Sequence, residues 1–121
     1  MKRLLLLMVS GVLFAQTQIH SVTLRWKDSA NPPGTTYNVY KVSGACPSTA
    51  PTIGNFGSFV KINTAPVPTM IYQDFAVSPG NSYCYFVTAV SATAESAPSG
   101  EIGSGTVPGS LIVVKLSVVT Q

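Results

Sequence analysis

Charge is scarce in this chain: 9% of its 121 residues are Asp, Glu, Lys or Arg, and histidine occurs once, at His20. Acid–base and nucleophilic catalysis need a histidine, paired carboxylates or a nucleophile beside its base, so an enzyme would have little to draw on. His20 stands one residue before an alternating strand and reads as an exposed terminal residue. Asp74 and Glu95 could in principle pair, but Asp74 closes a strand at a turn, where Asp bonds nearby backbone. Gly100, Gly103 and Gly105 are followed by no helix, which a phosphate cradle requires, and read as spacers. No Asn is followed by the spacing of an N-glycosylation acceptor, and no Arg-Gly-Asp triplet is present. The expectation is a non-enzyme with no catalytic, cofactor-binding or metal residue.

Cysteine is nearly as rare, with Cys46 and Cys84 alone. A two-cysteine metal site would need help from histidine or carboxylate, whereas an even count in an oxidising compartment favours one disulfide, Cys46 to Cys84. Export is the expected route. Lys2 and Arg3 lead into the apolar run Leu4 to Val9, and Ser10 and Gly11 then relax it before Ala15, the order of a secretory signal. Its apolar part is too short to span a bilayer, which takes about 20 residues. The expected division is therefore a signal at 1–15, a domain at 16–108 and a tail at 109–121, with a secreted, extracellular or periplasmic location and no membrane span after cleavage. Once the signal is gone, Arg25, Lys27, Lys41, Lys61 and Lys115 stand against Asp28, Asp74, Glu95 and Glu101, a net charge of +1. Those cations are scattered and form no basic stripe, so nucleic acid is excluded as a partner.

Apart from the signal, no segment has helical period. Ser21 to Lys27 alternates, with Val22, Leu24 and Trp26 on one face, the pattern of a half-buried strand. Asn31, Pro32, Pro33 and Gly34 then make a turn. Further strands are predicted at Tyr37 to Val42, Phe59 to Asn63, Met70 to Asp74, Ser82 to Ala92 and, more weakly, Glu101 to Val107. Between the second and third lies a long Gly, Pro, Ser and Thr loop, Ser43 to Gly57. Short strands separated by turn residues imply an all-β sandwich or barrel.

Three stretches together resemble a fibronectin type III domain over Ile19 to Val107. They are Val22-x-Leu24-x-Trp26, Tyr37-Asn38-Val39-Tyr40, and Val77-Ser78-Pro79-Gly80-Asn81-Ser82-Tyr83 followed by Tyr85, Val87 and Ala89 and then Ser96-Ala97-Pro98-Ser99. The resemblance implies a two-sheet antiparallel sandwich with Trp26, Tyr37 and Tyr83 as core hallmarks. Tyr83 would be a tyrosine corner, its ring buried and its hydroxyl bonded to upstream backbone. Too little chain precedes the Val22 strand for the family's first strand, which is expected to be missing or stunted.

The same alternation turns Tyr40, Val42 and Phe86 outward. They would form either a contact surface for a protein or glycan, or a face covered by the 43–57 loop, for which Phe56 is available; the cover is the favoured reading. The tail, with Leu111, Ile112, Val113, Val114 and Leu116, is too apolar to stand free. It would fold back antiparallel on the last strand, or be donated to the vacant edge of a second molecule. The functional expectation is a non-catalytic module for protein binding or adhesion at a cell or particle surface. A subunit assembled by strand donation and a carbohydrate-binding accessory are the alternatives.

Overall fold

The computed structural model describes residues 20–108 and, as backbone, 112–115. The expected signal at 1–15 lies outside these residues, as do Leu111 and Leu116 of the tail. The described residues contain seven strands and no helix: β1 Val22–Arg25, β2 Thr36–Ser43, β3 Val60–Lys61, β4 Ile71–Asp74, β5 Ser82–Val90, β6 Ile102–Thr106 and β7 Ile112–Lys115. They form a two-sheet sandwich, with order β4-β1-β7 in one sheet and β3-β2-β5-β6 in the other.

The core follows the alternation. Val22, Leu24 and Trp26 from one sheet meet Tyr37, Val39, Tyr83, Tyr85, Val87 and Ala89 from the other, and Val67, Val77 and Val107 close the ends. Trp26 packs edge-on against Tyr37, ring centres 5.4 Å apart. Successive residues of a strand face opposite sides, so a single β2–β5 register, Tyr37 opposite Ala89 through Ser43 opposite Tyr83, sets which side chains enter this core.

Two expectations are corrected. The third strand shrinks to Val60–Lys61, because Asn63 uses its side chain where a strand would use backbone: its Oδ1 accepts the Val39 amide at 2.8 Å. The tail also pairs differently. β7 lies parallel to β1, with Val22 opposite Ile112 and Arg25 opposite Lys115, and so does not hydrogen-bond to β6 as a hairpin. It occupies the β1 edge in its own molecule, the place where a first strand was expected to be missing. All other strand pairs are antiparallel.

Candidate functional site

Alternation carries Lys41 inward behind Tyr37 and Val39, and there it meets Asp74 at the end of β4. Lys41 Nζ lies 2.8 Å from Asp74 Oδ2, with side-chain exposures of 12% and 5%. Tyr85 donates its hydroxyl to the same oxygen at 2.7 Å, and the Ala76 amide donates to Asp74 Oδ1 at 3.0 Å. Lys41 also donates to the Ala76 carbonyl and sits 4.5 Å from the centre of the Tyr83 ring. The expected turn-capping role of Asp74 holds through Ala76, and the ion pair ties the two sheets together besides. Burial, reinforced by the bond to Asp74, pushes the Tyr85 hydroxyl far above its ordinary value.

Glu95 is engaged on the opposite, outer face of the β2–β5 sheet. Its Oε2 accepts from Tyr40 at 2.6 Å, Thr88 at 2.5 Å and Asn38 at 3.1 Å. Burial opposes its charge, but the bonds from Thr88, Tyr40 and Asn38 outweigh burial and hold the carboxyl below its ordinary value. Asp28 ends the chain's run past Trp26 and organises the following turn: Oδ1 accepts the Ala30 and Asn31 amides at 3.1 Å each, and Oδ2 accepts the Tyr37 hydroxyl at 2.9 Å. Burial again opposes ionisation, and the bonds from Asn31, Tyr37 and Ala30 overcome it. Tyr37 is correspondingly pushed up to about 12, by burial first and then by the bond to Asp28. Asp74 and Glu95 thus bond to different partners on opposite faces of the sheet and do not act together.

Of the two readings of Tyr40, Val42 and Phe86, a contact surface or a face covered by the 43–57 loop, the structure shows the favoured one, the cover. Tyr40 is 7% exposed and Phe86 is fully buried. Tyr40 stacks on Phe86 at 4.7 Å and Phe56 from the loop packs on both, with Phe59, Cys84, Val42 and Cys46 completing the cluster. The Cys46–Cys84 disulfide pins the loop to β5. The physical reason is aromatic area: an outward Tyr–Phe pair in mid-sheet is costly to leave in water. The carboxylate of Glu101 lies with the two sulfurs, ligand atoms all within 4.8 Å of one another. Both sulfurs are committed to the disulfide, so they do not offer thiolates to a metal.

The large apolar side chains left exposed lie between residues 53 and 75: Ile53, Val60, Met70, Ile71 and Phe75. Ile71 stands on β4, the outer strand of its sheet, and Met70 and Phe75 flank it. Among the described residues this stretch, and not the aromatic face singled out by alternation, is where apolar surface meets water. Sequence reasoning missed it because β4 was read only as a strand, not as an edge. An open hollow of about 370 Å³ lies beside Met70, between the Asp28 to Thr35 turn and Pro68.

Compared with models of known protein families and with curated proteins, the chain matches none. Among the described residues, no helix is long and apolar enough to cross a membrane.

Proposed function

We propose that the chain is a secreted, non-enzymatic module of the fibronectin type III kind that works by protein contact at a cell or particle surface. One contrast carries the reading. Asp28, Asp74 and Glu95 are all spent on their own fold, while Met70, Ile71 and Phe75 stand 42%, 37% and 58% exposed along one edge. Exposed apolar groups gathered at an edge mark interaction sites more often than chemistry. The disulfide is compatible with an oxidising, extracellular location. Kinship with the family is supported by Trp26 in the core and by the Ser78 amide donating to the Tyr83 hydroxyl at 3.0 Å, the bond a tyrosine corner requires. A carbohydrate-accessory role is less favoured, since Tyr40, Phe59 and Phe86 are covered.

A photoreactive phenylalanine analogue tests this. Placed at Phe75 in protein exported by its native cells, it should yield covalent protein adducts, whereas the same group at exposed Thr93 should not. Equal yields at both positions, or none at either, would reject the contact-module reading.

A further inference from the structure

We infer that the outer edge of β4, which no described strand pairs, is a self-complementary surface that pairs with β4 of a second copy of this chain, joining two sandwiches through one continuous sheet. The inference deepens the contact-module reading and rests on it for its biological sense, but its geometry comes from the strand register alone.

Trp26 donates its amide to the Met70 carbonyl at 3.2 Å, and Arg25 opposite Ile71 through Val22 opposite Asp74 continues the same antiparallel ladder. Hydrogen-bonded and non-hydrogen-bonded pairs alternate along such a ladder. Tyr72 and Asp74 therefore bond to β1, while the backbone groups of Ile71 and Gln73, and of Phe75 one step on, point away from it to the outer edge. Those same three residues carry the outward side chains, all exposed, while Tyr72 and Asp74 turn inward.

A twofold axis perpendicular to the sheet through Gln73 satisfies every requirement at once. It sets Gln73 against its twin and Ile71 against Phe75, so the residues whose backbone groups face the edge meet each other, with the Ile71 carbonyl giving up its long 3.4 Å bond from the Thr69 hydroxyl. It also keeps inward residues opposite inward residues, Tyr72 against Asp74, as pairing on one sheet demands. The two most apolar outward side chains of the edge, Ile71 and Phe75, become cross-strand neighbours, a favourable aromatic–β-branched pair.

The edge carries no outward charge to repel its twin, and its apolar side chains pair with each other, which favours a second copy as the occupant. A twofold contact brings each charge near its own twin, and between Met70 and Ala76 the only charged group is Asp74, which faces inward and is paired with Lys41. Both edges of the other sheet are blunted. β3 has two residues including Lys61, and β6 carries a register shift and Gly105 at φ 69°. β4 has no lysine, proline or bulge of the kind that guards edges against pairing.

Sedimentation of the exported protein up to about 1 mM should show a monomer–dimer equilibrium. Gln73→Pro removes an amide that faces away from β1, and Phe75→Lys sets a charge against the apolar Ile71 of the second copy. Each should weaken the dimer about tenfold or more, and Phe75→Lys should leave the monomer's melting intact. Gln73→Cys should give an interchain disulfide on mild oxidation, while Val60→Cys, also exposed to solvent on β3, should not. The inference is overturned by a monomer at every concentration, by a dimer indifferent to Phe75→Lys, or by equal crosslinking through position 60. A purified monomer that still captures other proteins through Phe75 would defeat self-pairing and leave the contact-module reading standing.

Discussion

Tyr83 serves three purposes through one side chain. Its ring fills the core, its hydroxyl accepts the Ser78 amide, and its face receives Lys41. Burial raises the hydroxyl's proton affinity, but the Ser78 and Asn81 contacts and the Lys41 charge outweigh it, so its pKa is lowered. The other four tyrosines are raised, in each case with burial as the largest cause. An absorbance titration of the native protein should therefore show one tyrosine ionising ahead of the rest, and Tyr83→Phe should delete that step. If Tyr83→Phe leaves the first step in place, the corner assignment is wrong. The same variant should cost about 0.5–1.5 kcal/mol, since the Ser78 amide loses its acceptor. Trp26→Ala should cost about 3–5 kcal/mol as a large core truncation, and denaturant melts compare the two. Lys41 was not legible as a partner of Asp74. The sequence pattern placed both residues correctly along their strands, but which turn end faces which depends on the stacking of two sheets, and no local spacing encodes that.

The strands themselves were legible wherever alternation met turn residues, because a half-buried strand must alternate to have one wet and one dry side. β1, β2 and β4 follow that rule to within a residue or two, and β5 matches its expected bounds as closely although it is buried on both faces. It fails at β3, where the Asn63 side chain takes the place of a ladder bond, and at β7, whose run Ile112-Val113-Val114 has no alternation to say which edge it fills. The 43–57 loop was legible through chemistry: an outward Tyr40–Phe86 pair needs a cover, and the disulfide holds one. Closing a separation of 38 residues, the Cys46–Cys84 bond should stabilise the fold by about 4 kcal/mol in the chain-entropy account, read as the loss on reduction. Removing residues 109–121 strips β7 from β1. Stability should fall at every protein concentration with no change in association state, because β7 and β4 flank β1 on opposite sides. A deletion that instead turned dimers into monomers would move the contact from β4 to the tail.

Across the whole molecule, the polar bonds predict how stability depends on pH, and the two phenol–carboxylate bonds, Tyr37 to Asp28 and Tyr40 to Glu95, act at both ends of the range. Asp28 and Glu95 are held below their ordinary values in the folded chain, so the folded state binds fewer protons than the unfolded one near acid pH. Their contribution is present in full above the unfolded carboxylate values, about 4, and is lost as pH falls through the depressed folded values. Tyr37 runs the other way: raised from 10.0 to about 12, its neutral form is the one the fold holds. That contribution is complete below the unfolded value of 10.0 and disappears as pH rises from there through about 12. The acid limb of Asp28 and the alkaline limb of Tyr37 share a single contact, the 2.9 Å bond from the Tyr37 hydroxyl to Asp28 Oδ2. Tyr37→Phe should therefore soften both limbs together, whereas Thr88→Val, which removes a donor to Glu95 and leaves both phenol–carboxylate bonds in place, should soften the acid limb alone. Denaturant midpoints measured from about pH 2 to pH 12, a span set by the carboxyl and phenol ranges, separate the two variants. An alkaline limb unchanged by Tyr37→Phe would show that the Asp28 turn owes nothing to the phenol.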